Sequence, residues 1–305
     1  VKVGVIGCGR WGKNHARTLS ALGVLAAVAD ERPEARAAFA EEFGCAQMTP
    51  QAMIDDPAIG AVVVVLPPDS QAGMALAVLA AGKHAMIEKP MAMTVADAEA
   101  IASAARSAGV TAMTGHLLLF HPAHLAIREL VRTGALGDLR LIRTERAGWG
   151  SFFPGTDVAW DLLPHDLSMI LDILGDLPQD GQMQARAVVS PQADIASLRM
   201  SVDALAIECF VSRVAPSRGR SMLVQGTRAS ALWNDLEADW SRKLVVVEHS
   251  LPSPSNPRPI ALAETMALDS ELRHFLSCIQ SGARPRGHVE DAARIIACIA
   301  RTPVV

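Results

Sequence analysis

Apolar runs and helical stretches alternate along the first third of the chain. Val1 to Ile6 is a short apolar run; Gly7, Gly9 and Gly12 follow, then a helical stretch from about Arg10 to Leu22. A second apolar run, Val24 to Ala29, ends at Asp30, and Pro33 to Phe43 predicts a short helix. Ala61 to Leu66 is a continuous β-branched run, the signature of a strand buried on both faces of a parallel sheet, and it stops at Pro67-Pro68. Gln71 to Ala81 reads as a helix ending at Gly82, His84 to Glu88 as a strand, and Thr94 as the cap of a helix that Gly109 ends after Ala108. Val110 to Gly115 closes this alternating series, which predicts a doubly wound parallel sheet.

The pattern then changes. Pro122 opens a helix to about Thr133, and strands follow at Leu139–Arg146, Met183–Val189, Val202–Ser212, Ser221–Gln225, Ala229–Trp233 and Leu244–Glu248. Leu205, Ile207, Cys209 and Val211 alternate with Ala206, Glu208 and Phe210, as in a half-buried antiparallel strand. A helix from about Leu162 to Leu174 interrupts the series, Ser250 to Pro259 carries four prolines and predicts a loop, and helices near Thr265–Gln280 and Val289–Ala300 finish the chain. The expected architecture is α/β: an N-terminal Rossmann domain over residues 1–117, then a C-terminal α+β domain over 118–305 built on an open, mostly antiparallel sheet. An open sheet face needs a cover, and a second copy of the chain, as a homodimer or homotetramer, is the expected one.

Bulk composition removes several function classes. At 305 residues two domains are the natural prior, and a net charge of −4 with 20% charged residues shows no basic excess for nucleic acid. No apolar run is long enough to cross a membrane, and Val1-Lys2-Val3 leads directly into a strand with no visible signal peptide. The five cysteines are scattered, without a CxxC pair, and are expected to be reduced thiols of a cytoplasmic protein. Tyrosine is absent, so no phenol can serve as acid or base.

Two stretches carry candidate chemistry. Strand, GxGxxG turn, helix, strand and acid is the order a dinucleotide-binding βαβ unit requires. Gly7 allows the sharp turn, Gly9 clears the approach of a pyrophosphate, Gly12 lets the helix pack closely, and the phosphates meet the helix dipole. Asp30 can accept from both ribose hydroxyls and favours NAD over NADP, a preference that Arg32 softens. Arg10, Trp11, Leu66, Pro67, Pro68, Gln71, Glu88 and Lys89 are expected to line the same cofactor crevice. Lys89, at a strand end, can hold a substrate oxygen and stabilise developing negative charge, and Pro90 is a candidate cis residue. Asp161 and His165 stand four apart and share a helix face, so the carboxylate can orient the imidazole as a general base. Asp166 is expected at the surface or as a capping group. His116, at a strand end, is a candidate substrate contact, with Trp160 and the aromatic loop of Trp149 and Phe152. No Cys or acid stands at ligand spacing beside His116, His121 and His124, so no metal is expected.

With these residues in hand the chain resembles the Gfo/Idh/MocA oxidoreductases, a family of sugar and cyclitol dehydrogenases. The glycine fingerprint, Glu88-Lys89-Pro90, Asp161-x-x-x-His165, Glu271-Leu272-Arg273-His274-Phe275 and Gly282-Ala283-Arg284-Pro285 carry the resemblance, over essentially the whole chain. It implies Lys89 as the catalytic, substrate-positioning cation, His165 as acid or base with Asp161 as its partner, and NAD or NADP as cofactor. Leu119 stands where many members have Arg, and Gln71 where many have His. The stretch Gly115 to Pro122, with Trp160-Asp161-Leu162 and Pro164-His165-Asp166, is similar to the branch acting on nucleotide-linked sugars. The implied activity is hydride transfer at a secondary alcohol or ketone of such a sugar. A cyclitol, imine or other carbonyl substrate, or a dinucleotide-sensing protein without catalysis, are the alternatives.

Overall fold

The computed structural model describes residues 1–150, 152 and 156–305. The chain divides into two compact units, Val1–Leu117 with Met266–Ala297, and Leu118–Thr265 with Cys298–Val305. The stretch Met266–Ala297, expected with the second half, therefore belongs to the first unit.

In the first unit, β1 (Val3–Ile6), α1 (Arg10–Ala21), β2 (Leu25–Ala29), α2 (Pro33–Phe43), β3 (Ala46–Met48), α3 (Pro50–Asp55), β4 (Ala61–Val64), α4 (Pro68–Ala80), β5 (His84–Glu88), α5 (Val95–Ala108) and β6 (Ala112–Gly115) follow in order. The six strands form one sheet in the order β3-β2-β1-β4-β5-β6, and every pairing in it is parallel. β1 and β4 are buried throughout, as their unbroken apolar sequences require. Thr94 caps α5, its hydroxyl oxygen accepting from Asp97 N–H at 3.1 Å, and Gly109 ends the helix at φ +63°. The short β3 and α3 were not expected; Thr49 caps α3 ahead of Pro50, its side chain accepting from Ala52 N–H at 3.2 Å.

The second unit opens with α6 (Pro122–Arg132) and β7 (Leu139–Trp149), followed by α7 (Val158–Leu174), β8 (Gly181–Arg186), β9 (Ile195–Val202), β10 (Leu205–Ser212), β11 (Val214–Gly226), β12 (Ala229–Asn234), β13 (Leu244–Glu248) and β14 (Arg258–Pro259). Its sheet runs β14-β13-β12-β11-β7-β10-β9-β8. All pairings are antiparallel except β10 with β7, so β10 is antiparallel on one side and parallel on the other. The strand expected at Met183–Val189 ends at Arg186, because Asp194 Oδ2 gathers the N–H groups of Val188, Val189 and Ser190 at 2.8, 2.7 and 3.0 Å. One face of the sheet is buried, with Ile142, Leu198, Ile207, Val224 and Ala231 at 1% exposure or less. The opposite face presents Phe210 and Leu232 to solvent.

The chain returns to the first unit as α8 (Ala267–Ser281) and the part of α9 (Val289–Arg301) that runs to Ala297. α8 packs on α1, and the segment before α9 meets β6 where Thr114 N–H donates to Gly287 O at 2.8 Å.

Candidate active site

At the carboxyl edge of the parallel sheet, Gly9 is the N-cap of α1, with no side chain capping the helix and no acid in its first turn. The positive end of its dipole is therefore left for a ligand. Gly7 adopts φ +109°, and a Cβ there would sit 2.0 Å from Val65 O. A Cβ on Gly12 would lie 1.9 Å from Gly7 O, whereas one on Gly9 would meet nothing within 4 Å. The turn is thus closed on its protein side and open where a pyrophosphate approaches, so the residues present fit a dinucleotide. Arg10 and Trp11 lie exposed at the start of α1.

Asp30 follows β2 and accepts from Cys8 N–H at 2.8 Å, so the acid is fixed to the glycine turn itself. Arg32 donates to it through Nε at 3.0 Å and Nη2 at 3.2 Å. Partial burial pushes the Asp30 carboxyl up, but the hydrogen bonds from Arg32 and Cys8 outweigh it and hold the group below the usual carboxylate range.

The neighbouring strand ends form a second cluster. Lys89-Pro90 is a cis peptide, as the turn proline suggested. Glu88 Oε1 accepts from the Trp11 indole N–H and pairs with His15 Nε2 at 2.8 Å, while Oε2 accepts from Lys89 N–H at 3.0 Å. Burial raises the Glu88 carboxyl, yet His15, Trp11 and the Lys89 charge together bring it below its ordinary value. Gln71, 1% exposed, spends its amide on the backbone: Oε1 accepts from Leu66 N–H at 3.0 Å, and Nε2 donates to Glu88 O and, at 2.9 Å, to Pro90 O. Gln71 and Glu88, expected to line the cofactor, thus have their polar atoms committed to holding the strand ends together. Pro67 and Pro68 start α4 immediately after Leu66.

His116 lies one residue past β6, 2% exposed, with neither ring nitrogen hydrogen-bonded. Burial, with the Lys89 charge adding to it against Glu88, brings its pKa down to about 4. Sequence reasoning missed two members of this unit. His15 is fully buried against Glu88, and Glu271 on α8 is fully buried with both carboxyl oxygens lacking a partner. Burial and the nearby Glu88 charge raise the Glu271 carboxyl well above its ordinary value.

In the second unit α7 begins at Val158, four residues before the expected start, because Asp157 caps it by accepting from Trp160 N–H at 3.0 Å. Pro164 sits inside the helix. Asp161 and His165 lie one turn apart on α7, both half-buried, with Trp160 beside them. The expectation for Asp166 is corrected: it is fully buried and accepts from Arg146 Nη2 of β7 at 2.8 Å. It faces the sheet because a position next to the half-buried His165 points toward the core side of the helix. Burial raises its carboxyl and Arg146 opposes that shift.

Trp149 ends β7 at 70% exposure and meets Phe152 edge to face at 6.2 Å. The guanidinium of Arg213, itself bound to Asp194 at 2.8 Å, lies 4.9 Å from the centre of the Phe152 ring. Ser151, Phe153, Pro154 and Gly155 of the same aromatic loop lie outside the described residues. His121 caps α6 and stacks on Trp233 at 4.5 Å, and His124 pairs with Asp172 at 2.9 Å, so both stabilise the second unit.

A family model described as an oxidoreductase family with an NAD-binding Rossmann fold matches residues 1–116. UDP-N-acetylglucosamine 3-dehydrogenase of Acidithiobacillus ferrooxidans is 30% identical over 292 residues, 92% of this chain and 88% of that one. Its solved structure superposes with a TM-score of 0.87 over 99% of this chain and 96% of its own, at 27% identity. Inositol 2-dehydrogenase of Rhizobium meliloti is 25% identical over 97% of this chain and 94% of its own.

Proposed function

This chain belongs to the Gfo/Idh/MocA family of oxidoreductases, and from that membership we propose that it moves hydride between a secondary alcohol or ketone of a sugar and a nicotinamide. A nucleotide-linked sugar is the substrate class we favour, because the relative matched at 30% identity acts on UDP-N-acetylglucosamine. NAD, when bound, supplies the hydride acceptor. Everything else falls to side chains of the chain itself.

Lys89 holds the reacting oxygen and stabilises the negative charge that develops on it. His165 takes the hydroxyl proton in oxidation and returns it in reduction, and Asp161, one turn earlier on α7, fixes its orientation. Trp149, Phe152 and Trp160 offer aromatic surfaces on which the apolar face of a sugar ring stacks. A second copy covers the open sheet face around Phe210 and Leu232, giving a homodimer or homotetramer. The five free cysteines suit a reducing, cytoplasmic setting.

The observation that carries this reading is the Lys89 turn. It stands beside the glycine turn at the sheet's carboxyl edge, and Glu88 and Gln71 anchor its backbone from both sides. The test follows nicotinamide absorbance with UDP-N-acetylglucosamine, other nucleotide sugars and inositol. Lys89→Ala should lower kcat about 100-fold or more while NADH titrates as before. Failure of the unaltered protein to bind NADH would end the proposal, and turnover of inositol alone would move the substrate to the cyclitols.

A further inference from the structure

His116 is a buried group with an unfinished hydrogen-bonding account. Native interiors rarely leave even one buried ring nitrogen without a partner, and His116 has two at 2% exposure. The backbone places it deliberately. Gly115 pairs with Glu88 across β5 and β6, and the His116 N–H then turns back to Thr114 O at 2.7 Å. This brings the imidazole to the level of Lys89, one residue beyond the last strand pair. A Cβ on Gly115 would lie 2.9 Å from Glu88 Oε1, so the glycine lets the two strand ends close against each other.

The strand order says which part of a dinucleotide reaches this point. Asp30 at the end of β2 marks the adenosine ribose, and the glycine turn after β1 marks the pyrophosphate. Continuing across the sheet in the order β1-β4-β5-β6, the nicotinamide half of a bound dinucleotide would come over the ends of β5 and β6. A neutral imidazole offers one N–H donor and one acceptor nitrogen. The two nitrogens diverge across the ring, so one of them meets a primary carboxamide, whose acceptor oxygen or donor nitrogen suits either tautomer. An uncharged partner is also the right one here, since oxidised nicotinamide is itself cationic and Lys89 already stands nearby.

We infer that the His116 imidazole binds the carboxamide of the nicotinamide, rather than the substrate. The inference rests on the proposed use of NAD but not on the identity of the sugar. The test is fluorescence titration, without sugar, of the unaltered protein, His116→Phe and His116→Asn. The ligands are NADH, ADP-ribose, which lacks the nicotinamide, and the reduced 3-acetylpyridine analogue, which lacks the amide nitrogen.

His116→Phe should bind NADH about tenfold more weakly and ADP-ribose as before. The unaltered protein should prefer NADH to the acetyl analogue, and His116→Phe should lose that preference. His116→Asn, which keeps a donor and an acceptor, should recover part of the affinity, and it carries the comparison if the Phe variant does not fold. Equal NADH binding by His116→Phe and the unaltered protein overturns the inference, as does parallel weakening of NADH and ADP-ribose. A raised sugar KM with NADH binding unchanged overturns it in favour of a substrate contact. If the unaltered protein binds NADH but turns over no sugar, the proposed substrate fails and these titrations still decide the role of His116.

Discussion

Gly9 and Gly12 stand three residues apart in one turn, and the space around them assigns them different work. A methyl on Gly12 collides with Gly7 O, whereas one on Gly9 touches no protein atom. Gly12→Ala should therefore cost about 1–3 kcal/mol of stability, visible as a lower Tm, and weaken NADH as well. Gly9→Ala should melt with the unaltered protein and lose only cofactor affinity, because its methyl occupies the pyrophosphate's approach. A matching loss of Tm in both would refute that division. His116 gives a pH signature. Its folded pKa of about 4 lies below the ordinary 6.5 because burial disfavours the charged ring. As pH falls below 6.5 the unfolded chain takes up a proton that the folded one refuses, so stability is full above 6.5 and declines toward pH 4. The loss reaches up to about 3 kcal/mol, and denaturant titrations at several pH values should show this slope flattened in His116→Phe. The residue types at this edge were legible in sequence, since spacing singled out Gly7 and Asp30, and strand-end positions singled out Lys89 and His116. Asp166 was misread because a helical period says which residues share a face, not which face meets the sheet.

Elements here are joined by side chains whose partners lie far along the chain. Gln71, on the first turns of α4, ties the end of β4 to the turn after β5 through Leu66, Glu88 and Pro90. Gln71→Leu would strand a buried N–H and two carbonyls, a cost of about 1–3 kcal/mol. Because the Lys89 turn loosens with it, kcat should fall by a larger factor than NADH affinity, which parallel titration and turnover measurements can separate. The inner strands of the parallel sheet were readable as apolar runs because both faces are covered, whereas the edge strand β3, exposed at Ala46 and Gln47, was not. β9 was overlooked although Ala196, Leu198 and Met200 alternate with Ser197, Arg199 and Ser201, for Ala196 is small and leaves only two large apolar residues to mark the inward face. The start of α7 was placed late, at Leu162, whereas the cap at Asp157 starts the helix four residues earlier, at Val158.

At the scale of the whole molecule, the first unit is discontinuous. Its final helices come from Met266–Ala297, and α8 covers α1 with Leu272 and Phe275 fully buried. A fragment ending at Leu117 should therefore fail to melt cooperatively or to bind NADH, and joining Met266–Ala297 to it through a flexible linker should restore both. Circular dichroism and NADH titration would check this, and a cooperative, NADH-binding fragment 1–117 would contradict it. Hydropathy could not reveal the return, because an amphipathic helix records that it has a buried side without recording whose. The same discontinuity orders events during translation. At roughly 5–20 residues per second, the ribosome needs on the order of 10–40 s to pass from Leu117 to Ala297. Through that interval the nascent dinucleotide unit waits with the α8 side of its first helix bare, a natural client for a chaperone until the last stretch emerges.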